Sequence, residues 1–157
     1  LPELLSQIVK PTVIRAITLA MNTNLSQIPE LAKKLSLKLK GGEIFGLMGP
    51  LGSGKTTFAK ALTKELKIKH RVTSPTFTIM NRYEGRLLKT KAPIFLYHLD
   101  LYRTNSFKEV KALGITEIWG SKNCVILIEW ANKIKKQLPK NTTIINFKNN
   151  EKSSSKI

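Results

Sequence analysis

Apolar positions along this chain change spacing several times, and each change marks an element. Ile28, Leu31, Ala32 and Leu35 recur three and four residues apart, as on one face of a helix; Ser26 can cap that helix and Pro29 fits its first turn. The helix is expected to run to about Leu37 and to be closed off by Gly41-Gly42. The run EIFGLM (43–48) then reads as a strand, and Phe58, Ala61, Leu62 and Leu66 restore helical spacing over 55–66. Strands are expected over 76–83 and 86–88, joined by a hairpin turn at Glu84-Gly85, and again over PIFLYHL (93–99). Ser106-Phe107-Lys108-Glu109 has capping-box spacing and predicts a helix to about Leu113, stopped by Gly114. CVILI (124–128) is a continuous apolar run rich in β-branched residues, which implies a strand covered on both faces. A short helix over 132–138 and a strand over 142–147 complete the pattern. Strands alternating with helices indicate an α/β fold.

Length and charge narrow this picture. The 157 residues, 41% of them hydrophobic, suffice for one core and one domain. The expected division is an N-terminal extension at 1–20, a domain at 21–148 beginning at Met21, and a polar tail at 149–157 expected to be disordered. No apolar run approaches the roughly 18 residues of a membrane span, so no membrane partner is expected and the chain reads as cytoplasmic. Its 27 basic residues outweigh 10 acidic ones, giving a formal charge of +17. That excess fits a polyanionic partner and fits a lysine-rich proteome equally well, since arginine, the sharper reader of phosphate, is scarce. The single cysteine, Cys124, heads an apolar strand and reads as a buried thiol.

Candidate chemistry centres on GPLGSGKTT (49–57). Gly49, Gly52 and Gly54 permit backbone conformations in which the amides of a loop that also holds Leu51 and Ser53 can face phosphates. Lys55 would reach the β- and γ-phosphates, Thr56 would bind Mg²⁺, and Thr57 follows in the helix whose positive end faces the loop. With a strand before it and a helix after it, this segment is a phosphate-binding loop. An acid on another strand should complete the magnesium site. Glu129, after CVILI, is assigned to the metal, while Asp100, ending PIFLYHLD, is assigned to catalysis with Lys55, positioning water or a switch loop. Ser74, Pro75, Thr76 and Phe77 suit a loop that responds to the γ-phosphate. His98, Tyr102 and Arg103 cluster around Asp100, and Trp130 follows Glu129; a structural role and a partner-facing role both stand for these four. Adjacent strand residues face opposite ways, so Trp130 is expected to point away from the metal side. No Cys/His cluster suits zinc.

Four ordered motifs, GPLGSGKTTFAKAL (49–62), SPTFTIMNRYEG (74–85), HLDLYR (98–103) and IEW (128–130), together resemble the TsaE family, bacterial ATPases of threonylcarbamoyladenosine formation in tRNA. The resemblance spans about 21–147. It implies a small P-loop fold with a mixed sheet flanked by helices, slow ATP hydrolysis with Mg²⁺, and work with the TsaB and TsaD proteins, any contact with tRNA being weak or indirect. It also implies ATP and Mg²⁺ at Lys55 and Thr56, a metal role for Glu129, an activity role for Asp100 and a switch-like role for the SPTF segment. Pro50 stands where the family has an acid, and Ala131 and Asn132 replace its proline and glutamate. Two readings from other classes share the loop: a small-molecule or nucleoside kinase, and a nucleotide-gated RNA-binding module.

Overall fold

The structure, a computed structural model, describes residues 15–19, 27–73 and 79–148. Six strands form one sheet in the order β1-β6-β2-β5-β4-β3. They are β1 (Arg15–Leu19), β2 (Ile44–Met48), β3 (Met80–Arg86), β4 (Pro93–Asp100), β5 (Cys124–Glu129) and β6 (Thr143–Phe147). All neighbours pair in parallel except β3 and β4, so the sheet is mixed. Every residue of β2 and β5 is buried, as continuous apolar runs require of central strands with both faces covered.

Two apolar layers cover the sheet. On one face α1 (Gln27–Ser36) and α2 (Lys55–Glu65) lay Ile28, Ala32, Phe58 and Leu62 against Phe45, Leu47, Leu127 and Phe147. Fully burying a side chain such as Phe58 or Leu62 is worth roughly 1.5–3 kcal/mol. On the other face Ile44, Ile126, Ile128 and Ile144 meet α3 (Phe107–Ala112) and the 3₁₀ segments Ile115–Glu117 and Ala131–Gln137. Among the described residues no helix is long and apolar enough to cross a membrane.

Three expectations need correction. Glu84-Gly85 is no turn: β3 runs through it, and the hairpin closes at 87–92, where Leu87 N–H donates to the Ala92 carbonyl and Lys91 takes a positive φ of 61°. Gly85 serves packing, since a Cβ there would lie 2.6 Å from the Leu66 carbonyl oxygen. The Ser106 side chain makes no capping bond, although α3 begins beside it and Gly114 ends the segment with φ 78°. The short helix expected at 132–138 is present as the 3₁₀ segment, with a kink at Ile134. The division after residue 20 does not coincide with the sheet, because Arg15–Leu19 pairs along Thr143–Phe147 as an edge strand. A strand this short carries too weak a pattern to be read without its partner. Ser26, residues 149–157 and the rest of the N-terminal segment lie outside the described residues.

Candidate functional site

Parallel pairing brings the carboxyl ends of three strands to one edge. Glu129 on β5 lies opposite Leu47 of β2 on one side and Asp100 of β4 on the other. Residues 49–54 leave β2 at that edge and lead directly into α2. The loop's path depends on glycine at two places in particular: Gly54 has φ 109° and Gly49 has φ 151°, and a Cβ on Gly49 would stand 2.4 Å from the Phe147 carbonyl oxygen. Leu51 is exposed at the loop's crest, Ser53 is buried, and Thr57 faces solvent from the first turn of α2.

Lys55 is 4% exposed, and its ammonium donates to the carbonyls of Gly49 (2.6 Å) and Pro50 (2.7 Å), with Ser53 Oγ at 3.5 Å. Pro50 has no N–H to offer, yet its carbonyl takes part in holding the lysine. Burial pulls the Lys55 ammonium below the usual lysine range, and the charges of Glu129 and Asp100 pull in the opposite direction. Thr56, one position on, donates its hydroxyl to Glu129 Oε2 at 3.2 Å, across 73 residues of sequence. The other carboxylate oxygen of Glu129 meets His98 Nε2 at 2.8 Å, and both side chains are almost fully buried. Asp100 is half-buried, and its Oδ1 accepts from the Tyr102 N–H at 3.0 Å, which fixes the turn leaving β4.

Trp130 departs from expectation. The strand ends at Glu129, and Trp130 takes a left-handed conformation, φ 59° and ψ 37°. The alternation of a strand therefore stops before it, and the indole lies over the phosphate-loop lysine, 4.0 Å from Lys55 Nζ to the ring centroid. Tyr102, half exposed, tilts against the same indole at 5.1 Å. Trp130 is thus part of the lysine's surroundings and is turned towards the site. Arg103 is exposed beside this cluster. Ser74, Pro75, Thr76 and Phe77, the expected switch-like loop, lie outside the described residues.

One contributor was not foreseen. Lys133 donates through Nζ to the carbonyls of Tyr102 and Thr104, the latter at 3.1 Å, and so ties the loop after Asp100 to the segment after Trp130. In a lysine-rich chain nothing in the sequence singles it out. Among the described residues no three His, Cys, Asp or Glu side chains gather as a metal cage.

The TsaE family model, described as threonylcarbamoyl adenosine biosynthesis protein TsaE, matches residues 22–157. The chain belongs to the TsaE family. It is 38% identical to the tRNA threonylcarbamoyladenosine biosynthesis protein TsaE of Treponema pallidum, over 70% of this chain and 76% of that one. It is 39% identical to the Bacillus subtilis TsaE over 74% and 68% of the two chains, and 40% identical to that of Aquifex aeolicus over 68% and 71%. The crystal structure of Bacillus subtilis YdiB superposes with a TM-score of 0.61 at 32% identity, covering 80% of this chain and 72% of that one. The matched span holds the phosphate-binding loop and all the residues gathered around it, and the chain is a P-loop nucleotide-binding protein of this family.

Proposed function

We propose that this protein is a slow, magnesium-dependent ATPase that serves threonylcarbamoyladenosine formation in tRNA and acts with TsaB and TsaD proteins. The family relationship supports the pathway and the choice of ATP. The observation that carries the catalytic part is the 3.2 Å bond between Thr56 and Glu129 at the start of α2. A hydroxyl and a carboxylate are hard oxygen donors, and one or two such ligands, with phosphate oxygens supplying others, suit Mg²⁺. Thr56 and Glu129 are the residues that would hold such an ion, and the chemistry it would supply is relief of the negative charge that develops during phosphoryl transfer.

The chain's own residues then divide the work. Lys55 leaves the Gly49 and Pro50 carbonyls for the β- and γ-phosphates, and its burial strengthens that attraction. Thr56 and Glu129 would hold the metal, and Asp100, one strand over, would position the attacking water. Trp130 shields the lysine from solvent on one side. ATP hydrolysis resets a larger enzyme in this reading, and tRNA is met through the partners.

The test is a reconstituted mixture of TsaB, TsaD and tRNA, with and without this protein, followed over several rounds of modification. Sustained turnover is expected only when the protein and ATP are both present. Equal turnover without it would overturn the proposal.

A further inference from the structure

His98 has a buried ring with two nitrogens in different situations. Nε2 meets Glu129 Oε1 at 2.8 Å, whereas Nδ1 is buried with no hydrogen-bond partner among the described residues. A carboxylate only accepts, so Nε2 carries the proton and donates. The same tautomer leaves Nδ1 as a bare acceptor; a proton placed there would be a buried donor with no partner, and Nε2 would face the carboxylate lone pair to lone pair.

Strand register explains how the two residues meet. On the paired strands β4 and β5, His98 lies opposite Leu127, two positions before Glu129, so both side chains leave the sheet on the face that α2 covers. Glu129 therefore has one oxygen committed to a strand neighbour and the other to the helix N-terminus: Oε1 to His98, Oε2 to Thr56. An unheld glutamate would keep rotamer freedom at the point where its orientation matters.

Resting on the magnesium reading above, we infer that His98 is a positioning residue for Glu129: by holding Oε1 it turns Oε2 towards Thr56 and makes that oxygen the one available to a cation. It touches neither nucleotide nor metal. Its effect passes entirely through the carboxylate.

The experiment compares His98→Phe, which removes the donor, with His98→Gln, whose amide N–H stands near the position of Nε2–H. ATP binding is measured by calorimetry in chelator and along a magnesium titration, with thermal unfolding in parallel. In chelator His98→Phe is expected to bind ATP within about twofold of the wild type, yet to need on the order of tenfold more magnesium to gain half of its metal-dependent affinity. His98→Gln is expected to return to within about threefold of the wild type, because the donor is restored. A merely structural histidine would lower the melting temperature and leave the magnesium requirement alone. If His98→Phe does not fold, His98→Leu takes its place in the comparison. A donor-less variant with the wild-type magnesium requirement, or a glutamine variant no better than it, overturns the inference while the magnesium site stands. A wild-type protein whose ATP affinity ignores magnesium overturns the site reading and this inference together.

Discussion

Trp130 holds a backbone conformation that bulky L-residues rarely adopt, with φ 59°, and in return its indole covers the Lys55 ammonium. The left-handed conformation costs roughly 1–2 kcal/mol, and a cation over an indole returns about 0.5–2 kcal/mol. Removing the ring while keeping the cost should therefore be worse than removing both. Trp130→Ala is expected to unfold at lower urea than the wild type, and Trp130→Gly to be more stable than Trp130→Ala by about 0.5–1 kcal/mol. A glycine variant clearly less stable than the alanine one would contradict this account of the turn. A second residue-scale expectation concerns Cys124, whose thiol is pushed above its ordinary 9.0 by burial, against a smaller opposing influence of the Ser121 side chain. The unfolded chain then loses that proton first as pH rises past 9.0, so this residue lowers stability above that pH and has no effect below it. An alkylating reagent at pH 8 should accordingly label Cys124 only as fast as the protein opens; rapid labelling of the folded protein would show that the thiol is accessible.

At the scale of elements, legibility followed the kind of burial each one has. The continuous apolar runs of β2 and β5 and the spaced apolar residues of α1 and α2 could be read because those elements bury what their patterns say they bury. Gly85 misled, since glycine serves both turns and close contacts and only the neighbours decide which. The atoms that decide it, the Leu66 carbonyl and the Ile68 side chain, come from the segment that follows α2. Gly85→Ala should thus lower stability by about 1–3 kcal/mol in denaturant unfolding, as forced overpacking does. Lys91→Gly, at the true turn with its φ of 61°, should be neutral or slightly stabilising. The reverse ranking would restore the turn to Glu84-Gly85.

In the whole molecule, function rests on register between segments far apart in sequence. The phosphate-binding loop was legible as a contiguous motif, and Glu129 and Asp100 as acids ending apolar strands. That Glu129 meets His98, or that Trp130 turns back over Lys55, depends on the pairing of β4 with β5 and on one left-handed residue, neither of which a linear pattern encodes. The edge position of β1 was hidden for the same reason. Beginning the chain at Met21 would remove β1 and leave β6 with an unpaired edge, so a lower unfolding midpoint and concentration-dependent association are expected; an unchanged midpoint would mean that β1 adds nothing to the sheet. In the proposed mechanism, Thr56 and Glu129 form the protein's share of a magnesium site serving ATP hydrolysis. Glu129→Gln tests it with little disturbance, because the amide oxygen can still accept from His98 and the Thr56 hydroxyl can rotate to accept from the amide, at a cost of about 1 kcal/mol or less. The deciding measurement is the magnesium dependence of ATP hydrolysis in the wild type and in Glu129→Gln. Slow, magnesium-dependent turnover is expected in the first, and a loss of about a hundredfold or more in the second at nearly equal melting temperature. Full turnover with unaltered magnesium dependence in Glu129→Gln would contradict that mechanism.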